Sequence, residues 1–219
     1  MADSKQGGLA QSVAYQLAER IIRGELKDGD PIREVAVTQA LGVSRSTVRE
    51  ALLILQRNYL VEITPNRGAH VQPLDAQLIS GLYDVVNTLY ALLGRLLCER
   101  WQTEAQLLPF VEVRRNIESC LRSNNIRGFV EQKVAIIRHA EPIIQNPFLS
   151  QALSNYMPAI SRTYYLAIEQ CMEEMLQFTR NYDQMLIAIH SRDHERMIAT
   201  INEYCRRNCH AILSTIDEA

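Results

Sequence analysis

The segment from Gly42 to Leu52 limits the possible folds more than any other stretch, because it combines a helix stop with a helix start. Apolar residues within 37–41 predict a short helix that ends at Gly42, since glycine adopts the left-handed conformation of a tight turn at little cost. Ser44 is a suitable N-cap for a second helix. The apolar stripe that this second helix would bury consists of Val48, Ala51, Leu52 and Leu55. Two short helices joined by a tight turn are typical of a helix-turn-helix.

The other residues at the start of the second helix would face outwards, and they are Arg45, Ser46, Thr47 and Arg49. Arginine can bond the O6 and N7 edge of guanine or hold a phosphate. Hydroxyl groups in a first helical turn suit phosphate and base-edge atoms near the positive end of the helix dipole. This face therefore predicts contact with DNA, although an ordinary solvated helix start has a similar composition.

The flanking segments favour the DNA-binding interpretation. Residues 60–63 alternate like a short strand, residues 64–68 have the composition of a turn, and residues 69–71 resume an extended pattern. Upstream, Val13, Leu17, Ile21 and Ile22 mark an amphipathic helix that ends near Gly24, before a turn that contains Gly29 and Pro31. A helix, a helix-turn-helix and a hairpin together form a winged helix-turn-helix.

Charge supports this interpretation only locally. The chain has a formal net charge of −2 and a pI near 6.2, so the whole molecule is not basic. Residues 31–74 hold five arginines and three glutamates, which leaves a small positive excess of two. Phosphate attraction scales with the number of contacts, so a weakly charged module is expected to bind as a dimer on two half-sites.

The same residues resemble a known family. The segments Ile21–Leu26, Leu41–Arg45, Val48–Leu52 and Asn66–Ala69, with Gly29 and Pro31, are similar in type, order and spacing to the N-terminal domain of GntR-family bacterial transcription regulators. The resemblance covers about the first third of the chain. It implies that Arg45 and Arg49 approach guanines or phosphates, and that Ser44, Ser46 and Thr47 contact the DNA backbone or base edges.

The resemblance also implies a role for the hairpin tip, where Gly68 would let the wing enter the minor groove, Arg67 would hold phosphate and Asn66 would lie beside them. Relatives often carry an arginine on the preceding helix where this chain has Val35. Arg33 is a further candidate DNA contact. It lies about 200° away around a helix, so it could replace that arginine only if the helix began later.

The pattern changes after a linker at residues 73–77. We expect residues 1–72 to form the winged domain and residues 78–219 to form an all-α domain. The apolar periodicity predicts helices near 76–101, 104–122, 126–144, 149–171, 173–190 and 194–216. Asp193 would cap the last helix. Asn146–Leu149 and Ile187–Asp193 resemble breaks in the FCD effector domain of the GntR subfamily that includes fatty-acid-responsive regulators. The resemblance implies ligand binding and dimerisation by this half.

Many relatives hold a metal ion in that domain, but the corresponding positions here are Lys133, Ile137, Tyr182 and Tyr204, none of which is a usual ligand. His139 would point to the opposite face of its helix, and His190 and His194 flank a helix break. We therefore expect neither a metal site nor another cofactor. Cys205 and Cys209, four residues apart, are interpreted as structural thiols.

An effector pocket without metal is one interpretation of these replacements. Lys133, Tyr182 and Tyr204 would line it, with Asn87 and Tyr90 from the first helix of the domain. A buried ammonium group requires an anion or a carbonyl, and the carboxylate or phosphate of an organic acid ligand could pair with it. Val86 and Tyr90 stand where many relatives are charged, so the more apolar interior would also suit an aromatic or aliphatic ligand. Alternatively, the cavity is filled and Lys133 extends to solvent. Tyr164 and Tyr165 are expected to be packing residues.

Other functions are less favoured. The sequence has no phosphate-binding glycine loop, nucleophile elbow or paired-cysteine zinc spacing, so no catalytic residues are predicted. Arg95 interrupts the most apolar segment, no signal peptide is visible, and five scattered cysteines suit a reducing cytoplasm without disulfides. We expect a homodimeric repressor that binds a palindromic DNA operator and a small-molecule effector. The alternatives are a helical interaction module with a degenerate winged domain, and a ligand-independent regulator with a filled pocket.

Overall fold

A computed structural model describes residues 2–170 and 173–217, and the side chains of 2–7, 169, 170 and 217 lie outside the description. The described chain separates into two compact units. The first contains the chain up to Leu74 together with Asn155–Arg162, and the second contains Asp75–Ser154 and the chain from Thr163 onwards. The fold class predicted from the sequence, a winged helix-turn-helix followed by an all-helical domain, is confirmed.

Three helices and a small sheet form the first unit. The helices are α1 Ala2–Ile22, α2 Glu34–Leu41 and α3 Arg45–Arg57, and the strands are β1 Pro31–Ile32, β2 Val61–Thr64 and β3 Gly68–Val71. The predicted stripe of α3 is buried, and it packs mainly on α1. Gly42 ends α2 with φ 65° and its amide donates to the Thr38 carbonyl at 3.0 Å, as a left-handed C-cap requires.

The sheet has the order β1-β3-β2, and both pairs of strands are antiparallel. In the hairpin Ile63 pairs with Ala69, and on the other side Ile32 pairs with the same residue. The hairpin follows the sequence prediction, whereas β1 was expected to be part of a turn. A strand of two residues that includes proline is too short to show any periodicity.

A segment of α7, the helix that spans Pro147–Gln170, completes the first unit. The Arg162 side chain is only 4% exposed, donates to the Gln72 carbonyl at 2.6 Å, and pairs with the carboxylate of Asp28. The second oxygen of Asp28 accepts the Leu74 amide at 2.7 Å. These bonds fix the backbone at the end of the unit, in the region where the sequence predicted a linker.

The remaining described helices belong to the second unit, which shares α7 with the first. They are α4 Ala76–Arg100, α5 Leu108–Arg122, α6 Ile126–Ile144, α8 Glu173–Ser191 and α9 His194–Asp217, and a 3-10 turn spans Glu104–Gln106. Gly94 lets α4 and α9 pack closely, because a Cβ atom there would lie 2.6 Å from Met197 Cγ and 2.7 Å from Ile201 Cδ1. The predicted cap of α9 is present, since the Arg196 amide donates to Asp193 Oδ1 at 2.9 Å.

Arg192 joins the ends of two helices in this unit. Its guanidinium group lies 4.1 Å from the centre of the Trp101 ring and donates to the carbonyls of Cys98 (3.2 Å), Glu99 (3.2 Å) and Trp101 (2.8 Å). The Trp101 indole in turn donates to the Ile189 carbonyl at 3.0 Å. A cation therefore satisfies carbonyls at the end of α4, where the helix dipole favours positive charge.

Within the described ranges, no helix combines the length and apolar character needed to cross a membrane. The described cysteines Cys98, Cys120, Cys205 and Cys209 are free thiols, and Cys171 lies outside the described residues.

Candidate nucleic-acid interface and helical cavity

The start of α3 is organised by hydroxyl groups. Ser44 is the N-cap, and its oxygen accepts the Thr47 amide at 3.2 Å. The same oxygen lies 2.8 Å from the hydroxyls of Ser46 and Thr47. Because this network fixes the first turn, the exposed side chains that leave it start from a defined backbone.

Arg45 and Ser46 project from this turn into solvent, as predicted. Thr47 does not, since only 2% of the residue is exposed. Its predicted outward position is wrong, because the third residue after the cap turns towards the face that carries Ala51 and its hydroxyl bonds back to Ser44. Thr47 therefore stabilises the start of α3, and Arg45 and Ser46 form the exposed polar surface of this turn.

Arg49 is exposed, but a carboxylate holds it. Its Nε lies 3.0 Å from both carboxylate oxygens of Glu34, the first residue of α2. The side chains of Arg49 and Glu34 are 67% and 33% exposed, so water and salt weaken this ion pair. A DNA phosphate could therefore replace the Glu34 carboxylate as the partner of Arg49.

Arg33 lies just before α2 rather than on it. The helix begins at Glu34, and Arg33 is an exposed N-cap residue with extended backbone angles, φ −80° and ψ 113°. Arg33 lies outside the helix, so the separation of about 200° expected between helical positions does not apply to it. Val35, which takes the place of an arginine in the resemblance, is 48% exposed.

The hairpin tip is shaped by two residues with left-handed backbone. Asn66 has φ 64° and Gly68 has φ 81°, a conformation that asparagine and glycine adopt more readily than other residues. Between them the Arg67 amide donates to the Thr64 carbonyl at 3.1 Å, and the Arg67 side chain is exposed. The turn therefore places the Arg67 guanidinium group in solvent next to Gly68, which has no side chain.

The second unit contains a cavity of about 80 Å³. Four of the five predicted pocket residues line it, namely Tyr90, Lys133, Tyr182 and Tyr204, and so does Ile137. Asn87, the fifth, is not among the lining residues. Lys133, Tyr182 and Tyr204, which span 71 residues of the chain, therefore line one cavity, as the resemblance implied.

Lys133 points into the protein. It is 7% exposed, and its Nζ lies 3.2 Å from the ring centre of Tyr164, 4.5 Å from Phe178 and 5.1 Å from Tyr204. The alternative in which Lys133 extends to solvent is therefore wrong. Removal from water lowers the pKa of the Lys133 ammonium well below its ordinary value, because burial disfavours the charged form.

The phenol groups around Lys133 differ in their partners. Tyr182 donates to the Phe110 carbonyl at 3.1 Å, and the hydroxyls of Tyr90 and Tyr164 are 3.2 Å apart. The buried Tyr204 hydroxyl interacts with the Tyr164 hydroxyl, but it forms no hydrogen bond of ordinary geometry with the described residues. Sequence reasoning expected Tyr164 to be a packing residue and missed its place in the cavity wall, because two successive tyrosines on α7 give no indication of which one faces inwards.

The donor set does not fit a metal ion. An ammonium group, an isoleucine and two phenols occupy the positions at which the resemblance would place ligands. His139 lies against the Phe110 ring, 6.2 Å between centres, and the His190 side chain is 56% exposed. In the described part of the chain, no three His, Cys, Asp or Glu side chains come together as ligands. Burial raises the pKa of the Cys205 thiol to about 12, so this thiol is protonated and inert at neutral pH.

The first unit is a winged helix-turn-helix domain, the class of module that places a helix in the DNA major groove. Residues 9–71 match the family model described as bacterial regulatory proteins of the gntR family. Over these residues the first unit of this chain is similar to that family.

Relatives and solved structures extend the similarity beyond that domain. The gluconate operon transcriptional repressor of Bacillus subtilis is 26% identical over 203 residues, 87% of this chain and 79% of the relative. The galactonate operon transcriptional repressor of Escherichia coli is 25% identical over 191 residues, 75% of this chain and 81% of the relative. The structure of E. coli McbR/YncC has a TM-score of 0.79 at 17% identity, covering 94% of this chain and 97% of that one, which shows a shared fold. The family and these names indicate a DNA-binding transcriptional regulator and not an enzyme.

Proposed function

We propose that this protein is a cytoplasmic transcriptional repressor that binds a palindromic operator as a homodimer and is regulated by a small molecule in the helical cavity. The main support is the surface formed by Arg45, Ser46 and Arg49 on α3 and by Arg67 and Gly68 on the wing. In this proposal α3 reads the major groove, and the wing, with Asn66 and Gly68 at its tip, contacts the minor groove. Ser44 and Arg33 supply further polar groups beside the helices.

A dimer follows from the weak charge of one winged domain. An excess of two positive charges over residues 31–74 gives few phosphate contacts, and two linked domains double that number. Two-fold symmetry of the protein then predicts two-fold symmetry of the site, with half-sites about one helical turn apart. A repressor is favoured over an activator only because the named relatives are repressors.

Arg45→Ala is the direct test of the α3 surface. Duplexes selected from a random library by the wild-type protein would be used to measure the affinity of both proteins by fluorescence anisotropy. We expect a loss of about 1–3 kcal/mol for each contact with a base, together with relaxed sequence preference at one position of each half-site. Arg115→Ala is the matched control, since Arg115 is 74% exposed on α5 of the other unit. Unchanged affinity and preference in Arg45→Ala would contradict the assignment of α3.

The oligomeric state needs its own measurement. Sedimentation of the protein alone and with one selected duplex should give a mass of two chains and a stoichiometry of two chains per duplex. A monomer in both cases would contradict the homodimer. A winged domain that has lost DNA binding, the competing interpretation, predicts that the library yields no enriched sequence.

A further inference from the structure

The feature that the DNA-binding function leaves unexplained is a buried ammonium group without a carboxylate partner. Among the described residues, no carboxylate oxygen lies within 4 Å of Lys133 Nζ, although aromatic rings surround it. The acidic group that acts on it from a distance is Glu174, which lies 3.5 Å from Arg207. Rings give partial compensation through their negative faces, but they accept none of the three N–H bonds as an oxygen would.

A second polar group in the same wall is incompletely satisfied. The buried Tyr204 hydroxyl interacts with the Tyr164 hydroxyl but forms no hydrogen bond of ordinary geometry with the described residues, and its ring centre lies 5.1 Å from Lys133 Nζ. Leaving a buried donor unsatisfied is costly, and a native protein usually pairs it with another group, water or a ligand. A ligand oxygen anion that reached both the ammonium and the phenol would accept hydrogen bonds from both.

The rest of the cavity limits what can carry that anion. Apart from Lys133 and the tyrosine hydroxyls, its walls are apolar, with Leu93, Ile136, Met185 and Met197 among them. A cavity of about 80 Å³ is smaller than the roughly 150 Å³ cavity that accepts benzene, so only a few heavy atoms fit before side chains move. Methionine adapts its shape easily, which allows a modestly longer chain.

We propose that the regulatory ligand is a short aliphatic monocarboxylate, whose carboxylate binds Lys133 Nζ and the Tyr204 hydroxyl and whose alkyl chain lies against the apolar wall. This assignment rests on the proposed effector role of the cavity. A polyhydroxylated acid such as gluconate would bring hydroxyl groups that this wall cannot satisfy, so it would be rejected. Lys133 thus takes the place that a metal ion has in the resemblance.

Proton uptake follows from the same geometry. The unliganded cavity lowers the pKa of Lys133, and a bound carboxylate raises it again, so the complex holds more protons than the free protein. Affinity should therefore fall as pH rises through the range between the two pKa values. The phenols that face Lys133 have raised pKa values and stay neutral, and they are Tyr90 on α4, Tyr164 on α7, Tyr182 on α8 and Tyr204 on α9. Cys205 on α9 is also neutral, and Glu174 on α8 has its own arginine.

The experiment is calorimetry on the full chain with acetate, butyrate, hexanoate and gluconate. Titrations in two buffers of different ionisation enthalpy, from about pH 6 to about pH 9, measure proton uptake. We expect binding of at least one aliphatic acid but not of gluconate, uptake of up to one proton, and an affinity that falls up to about tenfold per pH unit. Wild-type protein that binds none of the acids would overturn the proposal and favour a filled pocket. Binding of an acid without proton uptake would also overturn it, because the acid would then not bind at Lys133.

Two variants identify the anion receptor. Lys133→Met keeps the length and volume of the side chain without its charge, and it should abolish acid binding while the protein stays folded. Tyr204→Phe should weaken binding about ten- to hundredfold, since a hydrogen bond to a charged group is lost. Lys27→Met, which removes an exposed lysine from the first unit, should bind as the wild type does. Acid binding that survives in Lys133→Met would overturn the assignment.

DNA affinity of the same preparations separates this proposal from the proposed function. Lys133→Met without acid should bind selected duplexes as the wild type does, but no longer respond to acid. If acids bind through Lys133 and leave DNA affinity unchanged, the ligand assignment stands and the regulatory role fails.

Discussion

Glu34→Gln is expected to strengthen DNA binding, because it removes the carboxylate that holds Arg49. In the free protein Arg49 Nε lies 3.0 Å from both oxygens of Glu34, so a phosphate must displace this carboxylate before Arg49 can bind it. The glutamine keeps the shape of the side chain and can still accept one hydrogen bond, but it no longer attracts the cation.

The size of the effect follows from exposure. The two side chains are 67% and 33% exposed, and ion pairs of this kind are typically worth about 0.2–1 kcal/mol. Release of Arg49 should therefore raise affinity about 1.4- to 5-fold for each winged domain that contacts DNA. The gain should be larger at about 50 mM salt than at about 200 mM, since salt screens both the ion pair and the phosphate.

Anisotropy titrations with a labelled duplex of arbitrary sequence measure this effect without knowledge of the operator. Glu50→Gln is the matched control, because Glu50 is also exposed on α3 and forms no ion pair with the described residues. It removes the same charge without releasing an arginine. An affinity of Glu34→Gln that is equal to or below that of Glu50→Gln would refute the idea that Glu34 restrains Arg49.

Three further substitutions and one chemical modification test the structure. Ser44→Ala removes the cap of α3 and should lower the free energy of unfolding by about 1 kcal/mol in urea titrations; no loss would contradict the capping network. Gly68→Val forces a branched side chain into φ 81°, so strain of about 1–2 kcal/mol should reduce stability in the same assay, and DNA affinity should fall with it. Arg162→Met leaves the Gln72 carbonyl without its donor and should destabilise the first unit by about 1–3 kcal/mol, whereas unchanged thermal unfolding would argue against this bond. Burial raises the pKa of the Cys205 thiol from 9.0 to about 12, so its thiolate fraction near pH 8 is roughly a thousandfold lower than that of an ordinary thiol. Iodoacetamide reacts with the thiolate, so mass spectrometry after treatment should find Cys205 modified only in denaturant.

Features set by neighbouring residues could be predicted from the sequence. Gly42 ends α2, Ser44 caps α3 and Asp193 caps α9, because these roles depend on a few adjacent backbone groups. Helical periodicity gave the bounds of α4 and α6 to within a residue. The burial of Thr47 could not be predicted in this way, since it depends on which side of the first helical turn faces the core.

Features that depend on distant residues were harder to predict. The ion pair between Glu34 and Arg49 joins positions 15 residues apart on two helices, and no local pattern marks it. Tyr164 reaches the cavity only because α7 presents it to Lys133 on α6. The resemblance did identify Lys133, Tyr182 and Tyr204 as neighbours, because it carries information about the fold that periodicity lacks. Assignment of the helical half to the FCD subfamily stays a prediction.

The contacts of Arg192 bear on how the second unit forms during synthesis. The carbonyls at the end of α4 obtain their cationic partner only from residue 192, more than 90 residues further along the chain. A ribosome that has released α4 alone therefore exposes a helix end whose carbonyls can bond only to water. We expect this end to fray until the nascent chain extends past α8, so amide protection near Cys98–Trp101 should arise late and together with that of the α8–α9 connection.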